Sequence, residues 1–277
     1  MNKILLLLTT SVVILSGCST TKSIKYPTAG SRSTISVSSE QISAMTESGG
    51  GDYFIEGSQI TVGDASNALA SPTSGMFGLI GVGVATAIDK KANGSAVSKS
   101  NLKRAIKFDD LVNSKITNAL QSYQIDSSLK VISPNQPSEI KVVPYSRISF
   151  RDKPNVYVAF ALKSQFKNSA DGNSSIKRFY HYVNNQKAPL SDWDANNNEM
   201  FLKSANIAFD TLSKVLVLDA QHQLNFEVFS ETKQKTCKLA NGFNSYYFID
   251  APDNLCIGVL KTTKGQVLQN TVFVLEQ

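Results

Sequence analysis

The stretch from Asn155 to Phe166 constrains this chain more than any other. Val156, Val158, Phe160 and Leu162 alternate with other residues, so an extended backbone places all four on one face. Helical geometry would scatter them. Asp171-Gly172 then supplies turn chemistry. Ser175 to Val183 (SIKRFYHYV) returns antiparallel, with Phe179, Tyr180 and Tyr182 suited to a pleated surface. A sheet with one strongly apolar face needs a layer to cover it. Two amphipathic segments can serve. Leu102, Ile106, Leu111, Ile116, Ala119, Leu120 and Tyr123 recur at helical spacing over Asn101 to Tyr123. Phe201, Ala205, Ala208, Leu212, Val215 and Leu216 form a stripe over about Asn197 to Leu218. Asp109 and Asp110 suit the first turn of the second half of the earlier helix. The expected fold is α+β: a mainly antiparallel sheet with two packed amphipathic helices, followed by a β-rich C-terminal section.

The rest of the pattern fits that class. Tyr53-Phe54-Ile55 and Ile60-Thr61-Val62 flank Glu56-Gly57-Ser58, which reads as a small hairpin. Leu129 and Val131, then Ile140, Val142 and Val143, then Ile148 and Phe150 read as strands around Pro134 and Pro144. Beyond Leu224 come Phe226-Val228, Tyr246-Phe248, Ile257-Leu260 and Val272-Val274, with Lys264-Gly265 as the last hairpin turn. Met76 to Ile88 carries no charge and is punctuated, with its flank, by Gly75, Gly78, Gly81 and Gly83. It is too short to span a bilayer, which takes about 20 residues. It reads as a segment packed on the body, or as a membrane-dipping or self-associating helix whose glycines permit close approach.

The start of the chain speaks to location. Lys3 precedes an apolar run from Ile4 to Leu15, interrupted by Thr9, Thr10 and Ser11 and too short to span. It ends in Leu15-Ser16-Gly17-Cys18. A positive tip, a short apolar core and small residues form a secretory signal. The Leu-small-Gly-Cys ending resembles the lipobox of bacterial lipoproteins. That resemblance implies acylation of Cys18 with diacylglycerol and palmitate, anchoring in a lipid bilayer, and, with Ser19 rather than Asp next, sorting to the outer membrane. The implied organisation is a signal over residues 1–17, an acylated N-terminus and flexible Ser/Thr/Gly-rich tether over 18–52, and a hairpin with the Gly-rich apolar segment over 53–99. An α+β body follows over 100–221 and the β-rich section over 222–277. Within the tether, the alternation at Ile35 and Val37 also allows a short docked strand.

Three cysteines are present: Cys18, Cys237 and Cys256. If Cys18 carries lipid, the other two are an even pair in an oxidising compartment, which favours a disulfide. No CxxC spacing or nearby histidine suggests a metal site at either. The formal charge is +6, with no block of like charges. Lys90-Lys91 and Lys103-Arg104 read as solvated faces or as contacts with anionic headgroups. No basic motif with stacking aromatics is present, so no nucleic-acid partner is expected. A mean hydropathy of −0.12 excludes a polytopic membrane protein.

Catalytic patterns are weak. His181 and His222 form no HExxH pair, and no GxSxG elbow occurs. Ser-x-x-Lys at Ser19, Ser100 and Ser127 is what chance supplies. Asp109-Asp110 and Asp192/Asp194 suit caps and first turns. Trp193, the sole tryptophan, reads as a filler between helix and sheet or as an exposed contact for a membrane or partner. In outline the body resembles proteobacterial envelope lipoproteins and envelope-transport accessory lipoproteins, with no motif that transfers a site. The expectation is a non-enzymatic outer-membrane lipoprotein without cofactor, facing the periplasm as accessory or assembly subunit of an envelope complex with a protein partner. The alternatives are a binding module for lipid or cell-wall polymer, and a hydrolytic enzyme.

Overall fold

Two 13-residue strands, β5 (Ile140–Asp152) and β6 (Asn155–Lys167), form the antiparallel centre of one sheet in the computed structural model. The structure describes residues 33–42, 53–63, 95–97, 99–103, 106–125, 128–152, 154–167, 175–183, 186–237, 246–261 and 265–275. The sheet also contains β1 (Ser33–Val37), β2 (Tyr53–Phe54), β3 (Ile60–Gly63) and β4 (Leu129–Val131). Further along the chain come β7 (Ser175–Val183), β8 (Lys187–Pro189), β9 (Tyr247–Ile249), β10 (Cys256–Lys261) and β11 (Val267–Leu275). Its main path runs β2-β3-β5-β6-β7-β11-β10-β9, with β1 joining β4 to β5 and β8 on β6. The long central pairings are antiparallel. Parallel pairings add β1 and β3 to β5 and β11 to β7. The fold is α+β, as the sequence pattern implies, and the β-rich C-terminal section continues the body's own sheet through β7 and β11.

Helix α1 (Asp109–Ser122) and helix α2 (Leu190–Ala220) cover one face. Val156, Val158, Phe160 and Leu162 of β6 are buried there, as alternation requires. The whole predicted stripe of α2, from Phe201 to Leu216, meets them without exposure. Phe108 sits 5.0 Å from Phe209 and 6.3 Å from Phe160 between ring centroids, and Phe160 lies 5.4 Å from Phe201. Full burial of side chains of this size contributes about 1.5–3 kcal/mol each.

Proline in a central strand removes a ladder donor, yet β5 runs through Pro144. Ser38 N–H donates to Val142 O and Ser146 N–H to Gln59 O, so even-numbered residues of β5 address the β1/β3 side. On that side β1 ends opposite Val142 and β3 begins opposite Ser146. Pro144 falls in the gap between them, where no donor is required.

Three expectations need correction. The tether reading of 18–52 fails over 33–42: β1 lies between β4 and β5, with Ile35 and Val37 fully buried. Burial of two β-branched residues outweighs the Ser-rich composition around them. The earlier helix does not begin at Asn101. A 3₁₀ turn covers Asn101–Lys103, and α1 starts at Asp109. The cause is Gln59, whose N–H donates to Ile106 O at 3.0 Å and whose Oε1 accepts from Phe108 N–H at 2.6 Å. That clamp uses the backbone groups a continuous helix would need. The second helix begins before Asn197, but it is broken. Ala195 is extended, and Asn196, Asn197 and Asn198 adopt φ of 50°, 57° and 66° before the longer helical run. Asparagine is among the few residues that tolerate the left-handed region.

Both helices end alike. Gln124 (φ 50°) and His222 (φ 57°) stand in the left-handed position after the cap. Gln124 N–H donates to Gln121 O and Ile125 N–H to Leu120 O, while His222 and Gln223 repeat the pattern on Asp219 and Leu218. Glycine is favoured there because a Cβ costs about 1 kcal/mol in that region. Gln124→Gly is therefore expected to stabilise the chain by about 1 kcal/mol, read as a higher urea midpoint with an unchanged slope.

Candidate functional site

Chemistry-bearing side chains gather in several places among the described residues. The most deeply buried is a charge cluster between β7 and α2. Arg178 and Tyr180 occupy alternate positions of β7 facing the helix, and Asp219 lies in the last turn of α2. Arg178 is 1% exposed and the other two not at all. Arg178 Nη1 and Tyr180 Oη both donate to Asp219 Oδ2. The guanidinium stands 4.5 Å from the Phe226 ring centroid. Removing either ion from water costs several kcal/mol, which their attraction and the added hydrogen bond offset. Closed off from solvent, these groups position α2 on the sheet; no substrate reaches them.

The opposite face of β7 carries His181. Its ring stacks on Phe179 and Phe273, with centroids 6.2 and 5.6 Å away, and meets Tyr145 edge-on at 6.5 Å. Desolvation among these rings, helped by the Arg147 charge, pushes its pKa down from 6.5 to about 4. The imidazole is a neutral packing ring at physiological pH.

A polar cleft of about 610 Å³ opens at the break in α2, lined by Gln186, Asp192, Asn196, Glu199 and Lys203 among others. Among the described residues, its lining comes from 186–207, a single stretch of chain that offers carboxylates and a lysine side by side. Asn198 ties the break to the 3₁₀ turn, its Nδ2 donating to Asn101 O at 3.4 Å.

Cys237 and Cys256 form a disulfide, with Cα atoms 5.5 Å apart and both side chains buried. Closing a loop of 19 residues' separation contributes about 3 kcal/mol in the chain-entropy account. The bond joins the end of a short helix, α3 (Glu231–Thr236), to the start of β10.

The other sequence candidates fare differently. Cys18, Gly75, Gly78, Gly81 and Gly83 lie outside the described residues. Trp193 is fully buried in the main core, which corrects its reading as a membrane or partner contact. Its indole N–H has no acceptor among the described residues. Asp109 and Asp110 sit in the first turn of α1, as expected. Among the described residues, no His, Cys, Asp and Glu side chains group to hold a metal ion, and no helix is long and apolar enough to cross a membrane. Sequence reasoning missed the Arg178–Asp219 pair. Its signal was present: Arg178 shares the face of Tyr180 and Tyr182, and Asp219 extends the apolar stripe of α2 by helical spacing. A charge on an apolar face of each of two elements is a cue to look for pairing. Comparison with protein-family models, with curated proteins and with solved structures finds no match to this chain.

Two predictions follow from the buried groups. Asp219→Ala strands a buried guanidinium and should cost about 3–5 kcal/mol, whereas Arg178→Met with Asp219→Leu should cost less than either single change. Urea denaturation of Asp219→Ala, of Arg178→Met and Asp219→Leu singly, and of these two combined checks this; additive losses in that cycle would refute the pairing. For His181, the unfolded chain takes up a proton near 6.5 and the folded chain only near 4. Between those values the unfolded state binds more protons, so stability falls as pH drops through the window. His181→Phe should flatten that dependence between pH 6.5 and about 4, measured as thermal midpoint against pH.

Proposed function

We propose that this chain is a lipid-anchored envelope protein, held at the outer membrane through acylated Cys18. In this reading it acts as a non-enzymatic accessory or assembly subunit of an envelope complex. The observation that carries the reading is the partition of the three cysteines. Cys237 and Cys256 are consumed by a buried disulfide. The one left over is Cys18, directly after Leu15-Ser16-Gly17 and an apolar leader. A disulfide of this kind persists in an oxidising compartment, where such a leader would send the chain. Several acyl chains at about 0.8 kcal/mol per buried methylene hold a protein firmly to a bilayer.

An assembly role, rather than catalysis, is supported by where the charged groups lie. The Arg178–Asp219 pair is spent on packing, and the described residues that line the cleft at the α2 break lie within 186–207. The rival reading is a binding module for lipid or cell-wall polymer; the described lining of this cleft is largely polar. What the body offers a partner is a large sheet with α1 and α2 on one face.

Cys18→Ser should abolish incorporation of labelled fatty acid and leave an uncleaved or mislocalised precursor. Membrane fractionation with acyl labelling tests it. Normal outer-membrane recovery of an unlabelled Cys18→Ser product would overturn the anchor.

A further inference from the structure

One face of the sheet carries α1 and α2, and the other gathers lysines at one end. The pleat puts them there. Val142, Leu162, Phe166 and Tyr180 are buried on the helix side, so Lys141, Lys163, Gln165, Lys167 and Lys177 belong to the opposite face. Register then brings them together. Lys141 stands beside Gln165 and Gln165 beside Lys177. Lys163 stands beside Phe179, and Lys167 beside Ser175 at the end of β6. Ser36 of β1 pairs with Lys141, and Thr34 pairs with Lys130 of β4, so Lys130 shares that face. β4, β5, β6 and β7 thus each send lysine to one corner. Lys130, Lys167 and Lys177 are exposed, and the Lys141 side chain is 38% exposed.

Two carboxylates border this corner, and both are engaged. Glu40 takes Lys141, whose Nζ lies 2.8 Å from each of its oxygens. Glu139 accepts from Thr34 N–H at 2.9 Å and from the Thr34 hydroxyl. The lysines remain in excess over them. A recess of about 340 Å³ opens within the corner, lined by Ser36, Ser138, Lys141, Gln165 and Lys167 among others. Ammonium and carboxamide groups at its mouth are hydrogen-bond donors, and a phosphate is an anionic acceptor.

The route of the chain brings the same corner toward a bilayer. β1 runs parallel to β5, and Thr34 bonds Glu139 just before β5 begins. The chain therefore enters the sheet at this corner, through Ser33. Ser33 follows Cys18 by 15 positions, a stretch that can reach no farther than about 50 Å.

We propose that the corner formed by Lys130, Lys141, Lys163, Lys167 and Lys177 rests on the phosphate headgroups of anionic phospholipid in the bilayer that holds the chain. Its nearness to that bilayer rests on the anchor proposed at Cys18; its affinity for anionic lipid does not. The contact fixes one orientation of the body on the membrane, which a tether alone leaves open.

The test uses the full-length Cys18→Ser chain, which lacks the acyl-accepting thiol, with vesicles of phosphatidylcholine alone or mixed with phosphatidylglycerol. The quantity read is the ratio of the two partition coefficients, in which an apolar contribution common to both lipids cancels. A lysine at an anionic surface contributes about fivefold. The ratio should therefore exceed about 25-fold at low salt with two or more lysines engaged, and fall toward one in high salt, where charges are screened. Lys130→Gln and Lys167→Gln should each lower it about fivefold, with the urea midpoint unchanged. Lys203→Gln removes the same charge from an exposed position on α2, across the sheet, and should leave the ratio as it was. A ratio near one for the parent chain would overturn the proposal, and a face that instead meets an acidic protein gives that result. A ratio indifferent to Lys130 and Lys167 would overturn it too, as would an equal loss on Lys203→Gln, which would mark attraction by net charge alone. Failure of acyl labelling at Cys18 with the lysine-dependent ratio intact would remove the anchor and leave the corner standing.

Discussion

The contact on which the rest of this structure depends is the seating of α2 on β6. Phe160 is the pivot, because its ring touches Phe108, Phe201 and Phe209 together. Those rings come from β6, from the residue before α1 and from α2. Apolar burial alone is not directional, so it would tolerate a helix sliding along the sheet. The Arg178–Asp219 pair adds direction. A slip of one turn would leave a guanidinium and a carboxylate buried apart, at a cost of several kcal/mol. The core supplies the cohesion and the ion pair selects the register.

That register governs the C-terminal half. Once α2 ends at Gln221, its left-handed His222 turns the chain toward Leu224 and Phe226, which return to the main core. Phe226 covers the Arg178 guanidinium. The chain then reaches the far end of the sheet, where Lys261 Nζ lies 4.1 Å above both the Phe229 and Tyr247 rings. β11 inserts in parallel beside β7, so the C-terminal strands share the core. A second apolar cluster forms on the opposite face, from Tyr246, Phe248, Phe273 and the two cysteines among others. The disulfide staples this cluster, where fewer large residues are buried than under α2.

How much of this was legible in the residues follows from the range of the interactions. The alternation in β6 and the stripe of α2 are local, and both were readable because one face of each element is continuously apolar. At the break, three consecutive asparagines, Asn196–Asn198, are residues that tolerate the left-handed backbone found there. The cysteine pairing was readable by counting. β1 was readable only as an option: its five residues are Ser-rich, and what fixes them is a parallel pairing with β4 and β5, about 100 positions away. The Gln59 clamp was not readable at all. A glutamine in a hairpin gives no hint that it will bridge Ile106 and Phe108. The Arg178–Asp219 pair lies between these extremes, visible as two misplaced charges but not as partners.

The same contrast bears on why the chain carries a functional reading at one end and a structural one at the other. Anchoring and export signals are recognised as linear sequence, so the reading proposed for Leu15 to Cys18 rests on no fold. Residues at a sheet edge act through backbone groups, and these carry no signature in side-chain type. The edge of β9 could be found only by asking which backbone donors and acceptors were left at the end of the sheet and what satisfied them. That Ser230 and Gln234 do so from a helix with no buried residue is the anomaly that separates this edge from β4 and β8. In those strands, lysine or proline already discourages pairing. In β9 a separate element supplies the partners, and the Cys237–Cys256 bond holds its end.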